Sequence, residues 1–194
     1  LNGSERKNVS GVSMFVSPAK YLQVMLEVFP SARRIGLIYD PKNSGAFVQE
    51  ALQTAKKRGI ELVLRQAEKP GSVPLLIDSL RDKIDVFWML PDVTVINPET
   101  VRYMLLFSFQ NRIPLFTFSK KYVEMGALAG LSIMPSDLGR QAGEIALRIL
   151  SGDDPVLPIR QEARKTRLVL NRKVAGKLSL KIPDRVLREA DDAP

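Results

Sequence analysis

Arg33-Arg34-Ile35-Gly36-Leu37-Ile38-Tyr39-Asp40-Pro41-Lys42-Asn43-Ser44-Gly45-Ala46 is the stretch that decides the fold of this 194-residue chain. An apolar run, Ile35 to Tyr39, stops at a polar turn of Asp, Pro, Asn, Ser and Gly. A segment of helical spacing follows, with Phe47, Val48, Ala51, Leu52 and Ala55 on one side. This is the strand-to-helix step of an α/β protein, and in open sheets ligands sit at the loops that follow the strands. The helix reads from about Gly45 to Arg58, with Lys56-Lys57-Arg58 at its dipole-favoured end and Gly59 as its stop.

The step recurs downstream. Ile60 to Gln66 alternates as an edge strand does, and the helix after it reads from Ser72 to Asp82. Val86-Phe87-Trp88-Met89-Leu90 is almost wholly apolar, the mark of a central strand. The loop Pro91 to Asn97 follows, and Asn97-Pro98 starts a long helix by cap and proline. Ile113 to Phe118 reads as the next strand, Ser119-Lys120-Lys121 as its loop and Tyr122 to Met125 as a short helix. Ala127 to Ile133 reads as a strand of small residues, Asp137 to Leu150 as a helix, and Arg167 to Leu170 as a last strand before a helix capped by Asn171. Upstream, residues 1–16 read as an extended segment without a hairpin partner, and Ser17-Pro18 opens a helix that Pro30 ends. The fold class is therefore α/β: a parallel sheet flanked by helices, with right-handed crossovers and the flavodoxin-like strand order 2-1-3-4-5.

Composition narrows the chemistry. An apolar content of 45% with 26% charged residues supports a buried core. The absence of Cys and His removes thiolate nucleophiles, disulfides, zinc sites with His or Cys ligands, and histidine as general base. No apolar run approaches the ~20 residues of a membrane span. The first residues are polar and the chain does not start with Met, so it reads as an excised piece whose targeting segment was cut away. The net charge of +8 gathers between Arg160 and Arg188, but Leu168, Val169, Leu170, Val174, Leu178 and Leu180 interleave it. That pattern is the solvated face of folded elements, and no nucleic-acid partner is expected.

The carboxyl-end loops of such a sheet lie along one edge. They collect Asp40, Asn43 and Ser44, then Glu68 and Ser72, then Asp92, Thr94 and Asn97, then Ser119 and Tyr122, with Tyr39 and Phe118 as aromatic neighbours. Donors and acceptors beside aromatic rings suit a small polar ligand. Each has a plainer reading as well: Asp40-Pro41 and Asn43-Ser44-Gly45 as turn and capping chemistry, Asn97 as an N-cap, Ser119 as a solvated turn, and Trp88 as core. There is no phosphate-binding G-x-x-x-x-G-K-S loop, no pair of acids at the end of the first strand and no G-x-S-x-G elbow, so nothing speaks for an enzyme, a cofactor or a metal.

Several segments taken together resemble the ABC-transporter substrate-binding proteins of the family that includes tryptophan/tyrosine-type binding lipoproteins. They are Asn8-Val9-Ser10-Gly11-Val12-Ser13, Pro30 to Asp40 with Asn43-Ser44, Ile113-Pro114-Leu115-Phe116, Gly126-Ala127-Leu128-Ala129, Asp137 to Gly143 with Ile149 to Gly152, and Leu170-Asn171 with Ala175 and Ile182-Pro183. The resemblance implies one lobe of a type I periplasmic binding fold, with the first lobe largely absent. Residues 1–13 would form a crossover, 14–126 a complete α/β lobe, 127–157 a segment crossing to the other lobe, and 158–194 the return strand and C-terminal helix. It also implies a non-enzymatic importer component that takes an amino-acid-like, polar or aromatic molecule in an interlobe cleft and delivers it to an ABC permease. The location implied is periplasmic or extracellular, with a lipid anchor. A ligand-sensing domain of a signalling protein is the alternative. By position, the resemblance implies ligand contacts at Ser13, Asn43, Ser44 and Asp92; the loop-end reading adds Tyr39, Asp40 and Ser119. Where the family often has Asp-Asn, this chain has Asp92-Val93. The apolar stripe Leu138, Ala142, Ile145, Ala146 and Ile149 would face the absent lobe, and dimerisation through it is expected.

Overall fold

Asp40 and Pro41 start a helix where the sequence reads as a turn. The computed structural model describes residues 9–152 and 159–193. In chain order these form β1 (Gly11–Ser13), α1 (Pro18–Val28), β2 (Arg34–Tyr39), α2 (Pro41–Lys57), β3 (Glu61–Gln66) and, after a 3-10 turn at Pro70–Ser72, α3 (Val73–Asp78). Then come β4 (Val86–Trp88), α4 (Pro98–Asn111), β5 (Leu115–Thr117), α5 (Lys120–Glu124), β6 (Ala129–Ile133) and α6 (Pro135–Leu150). The chain continues through β7 (Arg160–Glu162), β8 (Thr166–Leu170), α7 (Arg172–Lys177), α8 (Asp184–Glu189) and β9 (Asp191–Asp192). Helix α2 begins at Pro41, four residues earlier than the apolar spacing suggests. Asp40 is its N-cap and accepts the Lys42 N–H at 2.9 Å, while Pro41 at the first helical position needs no N–H partner. Asn43 and Ser44 therefore stand on the first helical turn.

The described residues divide into two compact units, one within residues 9–16, 133–152 and 159–167 and one within residues 17–132 and 168–193. The larger unit is built on a sheet of order β3-β2-β4-β5-β6-β8-β9. Its first five strands follow the expected order, and the pairs β2–β3, β2–β4, β4–β5 and β5–β6 are all parallel. Strand β3 is the edge, as its alternation implies. On one face Ile77 of α3, Leu80 just after it, and Val101, Met104 and Phe107 of α4 form one buried cluster with Phe87 and Leu115. On the other face Tyr21 packs 5.4 Å from Trp88 and 6.4 Å from Phe116, ring centre to ring centre, with Phe47 5.5 Å from Trp88. Trp88 is fully buried, and burial in this group drives the Tyr21 hydroxyl pKa far up. Asp85 pins the start of β2 by accepting the Arg33 and Arg34 N–H groups, each at 2.8 Å, and the Arg34 guanidinium. Desolvation pushes the Asp85 pKa up, but these hydrogen bonds together outweigh it and leave the pKa lowered.

The smaller unit pairs β1 in parallel with β7, so that Ser13 stands opposite Glu162. This supplies the partner that the sequence does not reveal for the extended segment. Gln141 on α6 is buried and satisfied on both ends of its amide. Its nitrogen donates to Gln161 Oε1 and the Glu162 carbonyl, and its oxygen accepts the Arg164 N–H. Along α6, Ala142, Ala146 and Ile149 are exposed and Leu138 is half-buried, but Ile145 is only 4% exposed, so the expected stripe loses that member. Leu147 and Leu150 are exposed instead.

Candidate functional site

Two aspartates tie the end of β2 to the end of β4, and the tie follows from the local sequence. Asp92, just after β4, folds its side chain back on its own loop, accepting the Thr94 N–H at 3.0 Å and the Val95 N–H at 3.4 Å through one oxygen. This is the Asx turn that Asp favours. The other oxygen crosses to the first loop, where it accepts the Asp40 N–H at 2.9 Å and the Ser44 hydroxyl at 2.6 Å. Asp40 answers in the reverse direction: its carboxylate accepts the Thr94 hydroxyl at 2.7 Å. Asn43 donates its amide N–H to Thr94 Oγ1 at 2.9 Å and, more weakly, to Asp40 at 3.4 Å. The Thr94 hydroxyl, then the Lys42 N–H, holds the Asp40 carboxyl below its ordinary pKa; desolvation opposes them and the Lys42 charge adds to the lowering.

The structure thus brings Asp40, Asn43, Ser44 and Asp92 into one network. Asp92 is 1% exposed with four donors on its carboxylate, so it holds Ser44 in place from within the protein. Asn43 is exposed, and Ser44 and Thr94 are half-buried. Tyr39 lies apart from the network: its ring is 3% exposed in the sheet and its hydroxyl accepts from Gln66 at 3.2 Å. Ser119 is a half-buried N-cap of α5 whose carbonyl accepts the Tyr122 N–H. Ser13 belongs to the smaller unit, where its hydroxyl accepts the Phe15 N–H at 3.1 Å. Thr94 is collected at the loop edge by the sequence but is absent from the expected ligand contacts, and the structure puts it in the network. Its signal is the Asp-x-Thr spacing of an Asx turn, which places a second hydroxyl beside the strand end.

The free valences of this network all have one sense. Ser44 and Thr94 have given their protons to Asp92 and Asp40, so outward they only accept. The Asn43 NH2 group points inward to Thr94 and, more weakly, to Asp40, which leaves its oxygen. The N–H groups of Lys42, Asn43 and Ser44 are all taken up by Asp40. The helix start is therefore closed to an anion, and the edge suits a donor-rich group such as an ammonium. Among the described residues no group of three or more acidic side chains is placed to hold a metal ion.

Residues 2–193 match the family model described as ABC transporter substrate binding protein. A tyrosine-binding protein of Clostridioides difficile (strain R20291) is 31% identical over 170 residues, which are 84% of this chain and 48% of that protein. The ligand-free, open structure of a substrate-binding protein with adhesive properties from Clostridium difficile is 28% identical with a TM-score of 0.80. That match covers 95% of this chain and 62% of the other. An ABC domain from Streptococcus pneumonia in complex with L-Trp shares the fold at 24% identity, with a TM-score of 0.75 over 95% of this chain and 64% of that one. The chain spans about half the length of the curated relative that it matches. Its helix-flanked, mostly parallel sheet is the lobe architecture of type I periplasmic binding proteins. The family model runs from residue 2 to residue 193, and with the 31% identical relative it shows that the chain belongs to the ABC transporter substrate-binding protein family.

Proposed function

We propose that the protein is the solute-binding component of an ABC importer and takes an amino-acid-like molecule whose ammonium group is held by Ser44, Asn43 and Asp40. One observation carries this reading: the side chains of Asp40, Asn43, Ser44, Asp92 and Thr94 turn their donors on one another and leave only acceptor positions outward. A family relative named as tyrosine-binding supports the ligand class. The ligand lies in an interlobe cleft, with residues 127–157 returning to the lobe opposite. Release goes to a membrane permease, and the working location is periplasmic or extracellular, with a lipid anchor on the whole protein. The exposed Leu147 and Leu150 on α6 favour a covered state of that helix, by the opposite lobe or in a dimer.

Thermal-shift measurements on the full-length protein with each L-amino acid and its N-acetyl form test this reading. A ligand at a hundred times its Kd stabilises by about 2.7 kcal/mol. That is a rise of roughly 5–10 °C in Tm for a folding unit of about 150–250 residues, and less for a longer one. The expected result is a shift with one or more free amino acids, lost on N-acetylation and weakened by Ser44→Ala. No shift with any amino acid, or an N-acetyl form that binds as tightly as its parent, overturns the reading.

A further inference from the structure

Val93 is an exposed, branched apolar side chain in this polar edge. It stands between Asp92 and Thr94, the two residues that join the loops, and its side chain is 80% exposed. Exposure of one valine is ordinary in itself. What sets this one apart is how it is held. Its neighbour on one side is 1% exposed, with a carboxylate that accepts the N–H groups of Thr94 and Val95. Its neighbour on the other side is fixed by bonds to both Asp40 and Asn43. Val95 is 1% exposed in the core. The loop is thus pinned before and after residue 93, and that isopropyl group is kept outward next to the acceptor edge by a turn that cannot easily fold it in.

The geometry points to Val93 as a specificity-determining residue: with the ligand's ammonium on Ser44 and Asn43, the Val93 side chain lies against the ligand's own side chain and favours an apolar or aromatic one. This rests on the proposed binding of an amino acid at this edge. Val93 contributes shape and dryness and no hydrogen bond, so it sorts ligands by side-chain polarity and leaves recognition of the ammonium untouched. An apolar contact of about one or two carbon atoms is worth roughly tenfold in discrimination.

The test is calorimetric titration of the full-length protein and its Val93→Ser and Val93→Ile variants with L-tyrosine, L-tryptophan, L-glutamine and L-serine. An exposed site tolerates both substitutions, which an unchanged Tm confirms. The expected result is an affinity for the aromatic pair about tenfold lower in Val93→Ser, kept in Val93→Ile, with glutamine and serine within about twofold of their starting values. A parallel loss for all four ligands, or no change for any, overturns the role given to Val93 and leaves the binding proposal standing. If the unsubstituted protein binds none of the four and no other amino acid, the binding proposal itself fails and this role fails with it.

Discussion

Asp92→Asn removes one negative charge, keeps the shape of the side chain, and breaks the tie between the two loops in a calculable way. The native carboxylate accepts at both ends: Thr94 and Val95 N–H on one oxygen, Asp40 N–H and the Ser44 hydroxyl on the other. An asparagine has one oxygen. If that oxygen keeps the Asx turn, its NH2 group faces the Asp40 N–H, donor against donor. Ser44 escapes by rotating its hydroxyl to accept, but a backbone N–H has no such freedom. A buried unsatisfied donor costs about 1–3 kcal/mol, and loss of the charge weakens the remaining bonds by up to roughly 1 kcal/mol more each. The sum is about 3 kcal/mol, or a fall of roughly 6–12 °C in Tm for a protein of this size. Circular dichroism melts, with urea titration to compare midpoint and slope, measure it. The expected pattern is a lower midpoint at an unchanged slope. A Tm within about 2 °C of the parent would refute the reasoning, because a carboxylate whose loss is not felt does not hold the loops.

Further expectations concern acid stability and packing. Asp40 and Asp85 both have pKa values below the ordinary one in the folded protein, Asp40 chiefly through the Thr94 hydroxyl and Asp85 through hydrogen bonds that outweigh its desolvation. A depressed folded pKa gives stability that is complete above the unfolded value, about 3.9, and is lost as pH falls through the folded value. Denaturation midpoints should therefore fall on acidification below about pH 4, and Asp40→Asn and Asp85→Asn should each flatten that limb. Unaltered pH curves in both variants would contradict the assignment. In β6, a Cβ on Gly130 would lie 2.9 Å from Thr117 Cγ2 and from Val123 Cγ2 and 3.1 Å from the Thr117 carbonyl oxygen. Gly130→Ala should cost about 1–3 kcal/mol by overpacking. Gly143 on α6 has open space, and Gly143→Ala should instead stabilise by about 0.5–1 kcal/mol in a urea melt.

The parallel sheet could be read from the chain because each of its central strands carries its own evidence. Val86 to Leu90 is apolar on both faces, as only a strand covered by helices on both sides needs to be, and Ile60 to Gln66 alternates as an edge does. The site was harder to read. Asp40-Pro41 is equally a turn and a helix start, and the choice depends on whether the Asp40 side chain finds the Lys42 N–H, which local composition does not decide. Asp92 looks like a surface loop residue until its four donors are counted, and two of those come from residues 48 and 52 positions away. The role of Thr94 is hidden for the same reason, since it lies in partners 51 and 54 positions away. Strands β7 and β9 are three and two residues long, too short for any periodicity to mark them. The β1–β7 pairing depends on chain topology and leaves no local trace.

That last pairing has a consequence in time. Gly11 pairs with Arg160 and Ser13 with Glu162. Among the described residues β1 pairs only with β7, which is synthesised 149 positions later. At 5–20 residues per second the wait is roughly 8–30 s. During that interval the larger unit can collect its strands β2 to β6 in order, each against a neighbour already made or just emerging. The β1–β7 pair cannot form in that interval. Synthesis thus lets strands β2 to β6 pair before β1 meets β7, with β8 and β9 joining the larger unit only after that, and a chaperone that shields an unpaired strand would find β1 as its target.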